Sequence, residues 1–157
     1  MTSPRGSDEP GSRRQPLAVF APASIGNVSV GFDALGLALA PMDGTLLGDI
    51  VSLLPGSTPD WPPDWQLRTT GPFAHKLPKE VEKNIVLQCC RLYQHALGQQ
   101  GVIVSSMEIV LDKRLPIGSG LGSSASSVVA SLEVLNRWHD HALGSRDLFR
   151  LMAEVEG

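Results

Sequence analysis

The segment Leu115-Pro116-Ile117-Gly118-Ser119-Gly120-Leu121-Gly122-Ser123-Ser124-Ala125 constrains this 157-residue chain more than any other stretch. Glycines at alternate positions, Gly118, Gly120 and Gly122, permit positive φ and let amide N–H groups approach a ligand with no Cβ in the way. The hydroxyls of Ser123 and Ser124 follow. Behind them Ala125, Val128, Val129, Leu132 and Leu135 recur at helical spacing, which predicts a helix over about 123–139. A glycine turn opening onto a helix offers unpaired N–H groups and the positive end of the dipole, so it suits an anion such as phosphate. The hydroxyls can donate to phosphate oxygens or sit on a magnesium ion. The loop is not a Walker A motif, because no lysine follows its last glycine. Nor is it the dinucleotide fingerprint, since Gly122 comes one residue early. A Gly/Ser connector that binds nothing is the plainer alternative.

The remaining patterns predict short strands and two further helices. LAVFA (17–21) is an apolar run ended by Pro22, residues 35–40 are strand-like between Gly36 and Pro41, and DIVSLL (49–54) is closed by Pro55 and Gly56. Prolines and the flanking Trp61 and Trp65 make 55–64 a loop. A helix spans 84–97, with Ile85, Cys89, Leu92, Tyr93 and Ala96 on one face and Gly98 at its end. A strand follows over 102–111, its core alternating through Met107, Ile109 and Leu111. The last helix opens at Ser145 as N-cap, with Asp147 in its first turn, and buries Leu148, Leu151, Met152 and Val155. Strands and helices alternate without the period of a doubly wound sheet, so the class is α+β.

Composition narrows the function. With 42% hydrophobic residues, the chain is long enough for one ordinary domain without a metal or disulfide. A net charge of −3 gives no basic field for nucleic acid or anionic membrane. No apolar run approaches the roughly 20 residues of a membrane span. Cys89 and Cys90 are adjacent, which disfavours a disulfide between them and fits a reducing, cytoplasmic compartment. Residues 1–16 are polar, rich in Pro, Gly and Ser, and read as a disordered tail. Arg13 and Arg14 could serve targeting, but Asp8 and Glu9 argue against a transit peptide. His75, His95, His139 and His141 show no metal-ligand spacing and read as solvated side chains, with Trp138 packing at a helix end.

A second constellation, Ala21-Pro22-Ala23-Ser24-Ile25-Gly26-Asn27 followed by Val30-Gly31-Phe32-Asp33-Ala34-Leu35-Gly36, places Asn27 and Asp33 at the ends of a glycine-containing turn. Such a pair can bind an amine or hydroxyl, or it can cap the turn through its own backbone. Together the two segments resemble the GHMP kinase superfamily. Pro116 to Ala125 fits the family's Pro-x-Gly-x-Gly-Leu-Gly-Ser-Ser-Ala pattern at every typed position. The first segment, with no basic residue at 22–27, is similar to the homoserine kinase branch, and the match extends through Gly48-Asp49, Lys83 to Val86 and Lys113.

The resemblance implies an amino-terminal GHMP kinase domain over 17–157, ribosomal protein S5 domain 2-like, with a mixed sheet backed by helices. It implies ATP-dependent phosphorylation of L-homoserine to O-phospho-L-homoserine, on the route to threonine, with Mg2+ as cofactor. Pro116, Ile117, Gly118, Ser119, Gly120, Leu121, Gly122, Ser123, Ser124, Ala125 and Ser126 would cradle the phosphates. Asn84 and Lys113 would lie near the adenine, while Asn27 and Asp33 would meet homoserine. Ser124 and Glu156 would hold the metal, with Glu154 as the fallback carboxylate. Whether Asp33 acts as a base stays open, because a loose phosphoryl-transfer transition state need not have one. Family members run to about twice this length, so the chain reads as a fragment without its carboxy-terminal domain, of doubtful activity alone and allowing a homodimer at full length. Another small-molecule GHMP kinase, or a non-catalytic nucleotide-binding fragment, are the competing functions.

Overall fold

The computed structural model describes residues 15–26, 36–55, 65–104 and 107–157. Among these residues the architecture is a mixed four-stranded sheet with helices stacked on one face. Its strands are β1 (Leu17–Pro22), β4 (Gly48–Pro55), β5 (Trp65–Thr70) and β6 (Met107–Asp112), in the order β1-β4-β6-β5. The first three neighbours pair antiparallel, and β5 runs parallel to β6. A two-residue ribbon, β2 (Ser24–Ile25) with β3 (Leu37–Ala38), stands apart from this sheet.

Alternation decides which way each strand faces. Val19 and Ala21, Val51 and Leu53, and Ile109 and Leu111 are buried under the helices. Helix α2 (Ser123–Trp138) lies across β4 and β1, α1 (Ile85–Gln99) packs on α2 and touches β5, and α3 (Ser145–Glu156) contacts α1 and α2. Tyr93 and Asn136 join α1 to α2 through a buried 3.0 Å hydrogen bond.

Several boundaries depart from the sequence-based expectation. Strand β5 begins at Trp65, at the flank of the loop that the prolines predict; Leu67 tucks inward while its neighbours face water. Of residues 35–40, those described (36–40) hold the exposed strand pair Leu37–Ala38. The strand expected over 102–111 starts at Met107. Pro22 is the last residue of β1, tolerated because β1 is an edge strand. The stop of α1 is Gly101, not Gly98: at φ +76° it closes a turn in which Val102 N–H donates to the Leu97 carbonyl. In α3 the cap position is Gly144, whose carbonyl accepts from Asp147 and Leu148, so Ser145 is already helical.

Helix faces also turn from the expected stripes. Helix α1 buries Val86, Leu87, Cys89, Cys90, Tyr93 and Leu97, because α2, α3 and β5 cover it from more than one side, and Ile85, Leu92 and Ala96 end half-buried. Val129 of α2 is exposed, Ala125 is half-buried, and Met152 of α3 is only partly covered. His139 is not simply solvated: half-buried, its ring lies 5.5 Å from that of Tyr93.

Burial pushes the Cys89 thiol up to about 12, helped by the negative charge of Glu156, and raises Cys90 as well. The thiolate is the reactive form. A maleimide reagent at pH 8 should therefore leave the native protein unlabelled and modify both cysteines after denaturation. Native labelling would mean that α1 opens readily.

Candidate active site

The last residues of β6 and the first turn of α2 frame the site. Gly118, Gly120 and Gly122 have φ of +76°, +75° and +61°, all in the left-handed region that side chains avoid. Ser119 Oγ donates to the Pro116 carbonyl at 2.8 Å, tightening the loop on itself. Gly122 precedes α2 and, among the described residues, no side chain caps that helix, which leaves its first-turn N–H groups at the positive end of the dipole.

The loop forms one wall of a cavity of about 360 Å³. Leu77, Pro78, Lys83 and Ile85 line it as well. These four are the site residues that sequence reasoning left out or only brushed. Leu77-Pro78, an apolar pair in an otherwise polar stretch, was the available signal.

Helix α3 brings the acidic partner. Ser124 Oγ donates to Glu156 Oε1 at 2.8 Å, so the two residues proposed together from sequence meet at the cavity mouth. Glu154 lines a different groove, with His95 and Arg150. Ser123 is turned inward, its hydroxyl donating to the Leu115 carbonyl at 3.3 Å. Ser126 is buried too: its hydroxyl donates to the Ala21 carbonyl and accepts from Asp49 N–H, tying α2 to β1 and β4.

Two expected adenine neighbours are otherwise engaged. Asn84 is buried and its Oδ1 accepts from Val86 N–H at 3.0 Å, which makes it the N-cap of α1. Lys113 lines the cavity, yet its ammonium donates to the buried Asp49 carboxylate at 2.5 Å. Asn27 and Asp33 lie outside the described residues. The segment leading to them abuts the loop: Ser24 N–H donates to the Leu121 carbonyl at 3.1 Å, and the Ser24 side chain lies against Gly122.

The family described as GHMP kinases N terminal domain matches residues 84–157, from the cap of α1 through the glycine loop to the end of α3. This chain carries a GHMP kinase N-terminal domain. A homoserine kinase from Cytophaga hutchinsonii superposes with a TM-score of 0.76 at 35% identity, over 92% of this chain and 42% of that one. A candidate homoserine kinase from Listeria monocytogenes gives 0.58 at 25% identity, over 91% and 44%. The mevalonate kinase of Methanococcus jannaschii shares the fold alone, with a TM-score of 0.51 at 14% identity over 92% and 47%. This GHMP kinase domain thus spans less than half the length of each of these solved structures.

Proposed function

We propose that this chain is the nucleotide-binding part of a kinase that transfers the γ-phosphoryl group of ATP to the hydroxyl of L-homoserine. The observation that supports it most is the meeting of Ser124 and Glu156 at the uncapped start of α2, beside three left-handed glycines. The choice of acceptor rests on the likeness to homoserine kinases and on the 21–36 segment. Phosphoryl transfer asks a protein mainly for in-line positioning and for neutralising charge on the transferring oxygens. The loop N–H groups and the α2 dipole supply the second. Leu77, Pro78, Ile85 and Ile117 give the cavity an apolar side suited to a purine ring.

Magnesium fits the donor set. A hydroxyl and a carboxylate oxygen, both exposed and both hard, match an ion that takes one or two protein oxygens together with phosphates and water. When bound it neutralises charge on the phosphates. Ser124 and Glu156 would hold it at the phosphate end of the cavity.

The decisive assay is ATP-dependent phosphorylation of L-homoserine by the full-length protein and by this 157-residue chain. Turnover of homoserine in preference to mevalonate or sugars is expected at full length. Preference for another alcohol would replace the acceptor while leaving the kinase reading in place. No turnover of any alcohol, with ATP still bound, would favour a non-catalytic nucleotide-binding role.

Asp33→Asn should weaken homoserine far more than ATP. The substrate ammonium loses a carboxylate partner in that variant, and a charge-assisted hydrogen bond contributes on the order of 1.5–3 kcal/mol, roughly ten- to hundredfold. Apparent constants for both substrates in one variant measure it. Equal losses would make Asp33 a support of the fold or loop, and no loss would return it to a turn cap.

A further inference from the structure

Asp49 is wholly buried near the start of β4, 2% exposed Lys113 sits at the end of β6, and both meet Ser127 of α2. The carboxylate is fully used. Its Oδ1 accepts the N–H groups of Arg114 and Leu115 at 2.9 and 3.0 Å, the two residues that lead into the glycine loop. Its Oδ2 accepts Lys113 Nζ at 2.5 Å and Ser127 Oγ at 2.7 Å. The same ammonium donates 2.7 Å to the carbonyl of Ser123, the first residue of α2. One buried cluster therefore grips both ends of the loop, its entry through Arg114 and Leu115 and its exit through Ser123 and Ser127.

We propose that Asp49 and Lys113 are positioning residues that hold the entry of the glycine loop and the first turn of α2 in fixed register, so that the loop N–H groups converge on one anion. The inference rests on the kinase reading above but concerns only the phosphate end of the nucleotide. All three Lys113 donations go to protein oxygens, which assigns its side chain to the scaffold and not to the nucleotide base. A buried polar cluster with every member satisfied is stiff, and small displacements of an anion cradle are costly. A Gly/Ser loop anchored at one end alone would sample many shapes.

Removing one charge leaves the other buried and unpaired, so a single variant could fail to fold. Two variants of the full-length protein avoid this: Ser127→Ala, which deletes one hydroxyl, and Asp49→Asn with Lys113→Met, which removes both charges together. Affinities for ATP and for adenosine, measured by calorimetry, separate the phosphate end from the base. ATP should weaken about tenfold in the double variant and less in Ser127→Ala, while adenosine stays within about twofold of wild type. Parallel losses of ATP and adenosine, or unchanged ATP affinity in the double variant, would overturn the inference. Homoserine turnover by the unaltered protein is scored separately: if it is present and the variants fail to discriminate ATP from adenosine, the positioning role falls alone.

Discussion

Replacing Ser124 by alanine in the full-length protein should lower kcat between about a hundred- and a thousandfold, the usual loss when one group that stabilises transition-state charge is deleted. The fold should not notice. Ser124 is exposed, its recorded partner Glu156 is exposed, and the substitution opens no cavity, so stability should stay within about 0.5 kcal/mol of wild type. Charge on the phosphoryl group spreads in the transition state, and so the loss should fall on kcat more than on the KM for homoserine. Glu156→Gln should behave alike, because the carboxamide keeps the shape and drops the charge. If the two residues act as a unit, the double variant should fall little further than the worse single one. A titration with magnesium completes the test: both variants should need more of it for half-maximal rate. Wild-type turnover by Ser124→Ala at every magnesium concentration would remove the metal role.

The sequence made the glycine loop legible because its requirements are local. Positive φ at Gly118, Gly120 and Gly122, followed by an amphipathic run, leaves few shapes other than a loop feeding a helix. The pairing of Ser124 with Glu156 came through family resemblance, and the structure brings the two within hydrogen-bond reach across 32 positions of chain. Glu156 is preferred to Glu154 on the resemblance alone; residues two apart on a helix point in very different directions, and Glu156 faces Ser124 while Glu154 lines another groove. The role of Asp49 was hidden for a similar reason. Nothing local at Asp49 shows that Lys113 and Ser127, more than 60 positions away, close over it. Lys113 lines the cavity as the resemblance implies, but its pairing with a buried carboxylate needed the fold to be seen. Strand β5 escaped because its alternation is weak, with Gln66, Arg68 and Thr69 exposed, and because parallel pairing with β6 is non-local.

Gly122→Ala should damage the site more than Gly118→Ala, although both residues sit at positive φ. Backbone strain is common to the two: a side chain in the left-handed region costs about 1–2 kcal/mol. Space is not. A Cβ on Gly118 meets nothing within 4 Å, whereas one on Gly122 would lie 2.2 Å from Ser24 Oγ and 3.0 Å from the Ser24 carbonyl oxygen. The hydroxyl can rotate away, but the carbonyl belongs to the β2–β3 ribbon, and its neighbouring N–H is bonded to Leu121. Relief must then come from the loop or from the first turn of α2, where the Gly122 carbonyl accepts Ser126 N–H at 2.8 Å. Crowding of this kind adds about 1–3 kcal/mol, so Gly122→Ala should lose roughly 2–5 kcal/mol in all. Each kcal/mol lowers Tm by about 2–4 °C in a domain of this size. ATP affinity should fall with it, because the displaced turn carries the N–H groups proposed to bind the phosphates. Ser24→Gly in the Gly122→Ala background should recover part of both losses, since it removes the hydroxyl but leaves the carbonyl. Equal Tm and equal ATP affinity for Gly118→Ala and Gly122→Ala would show that strain alone matters, and that Ser24 does not brace the loop.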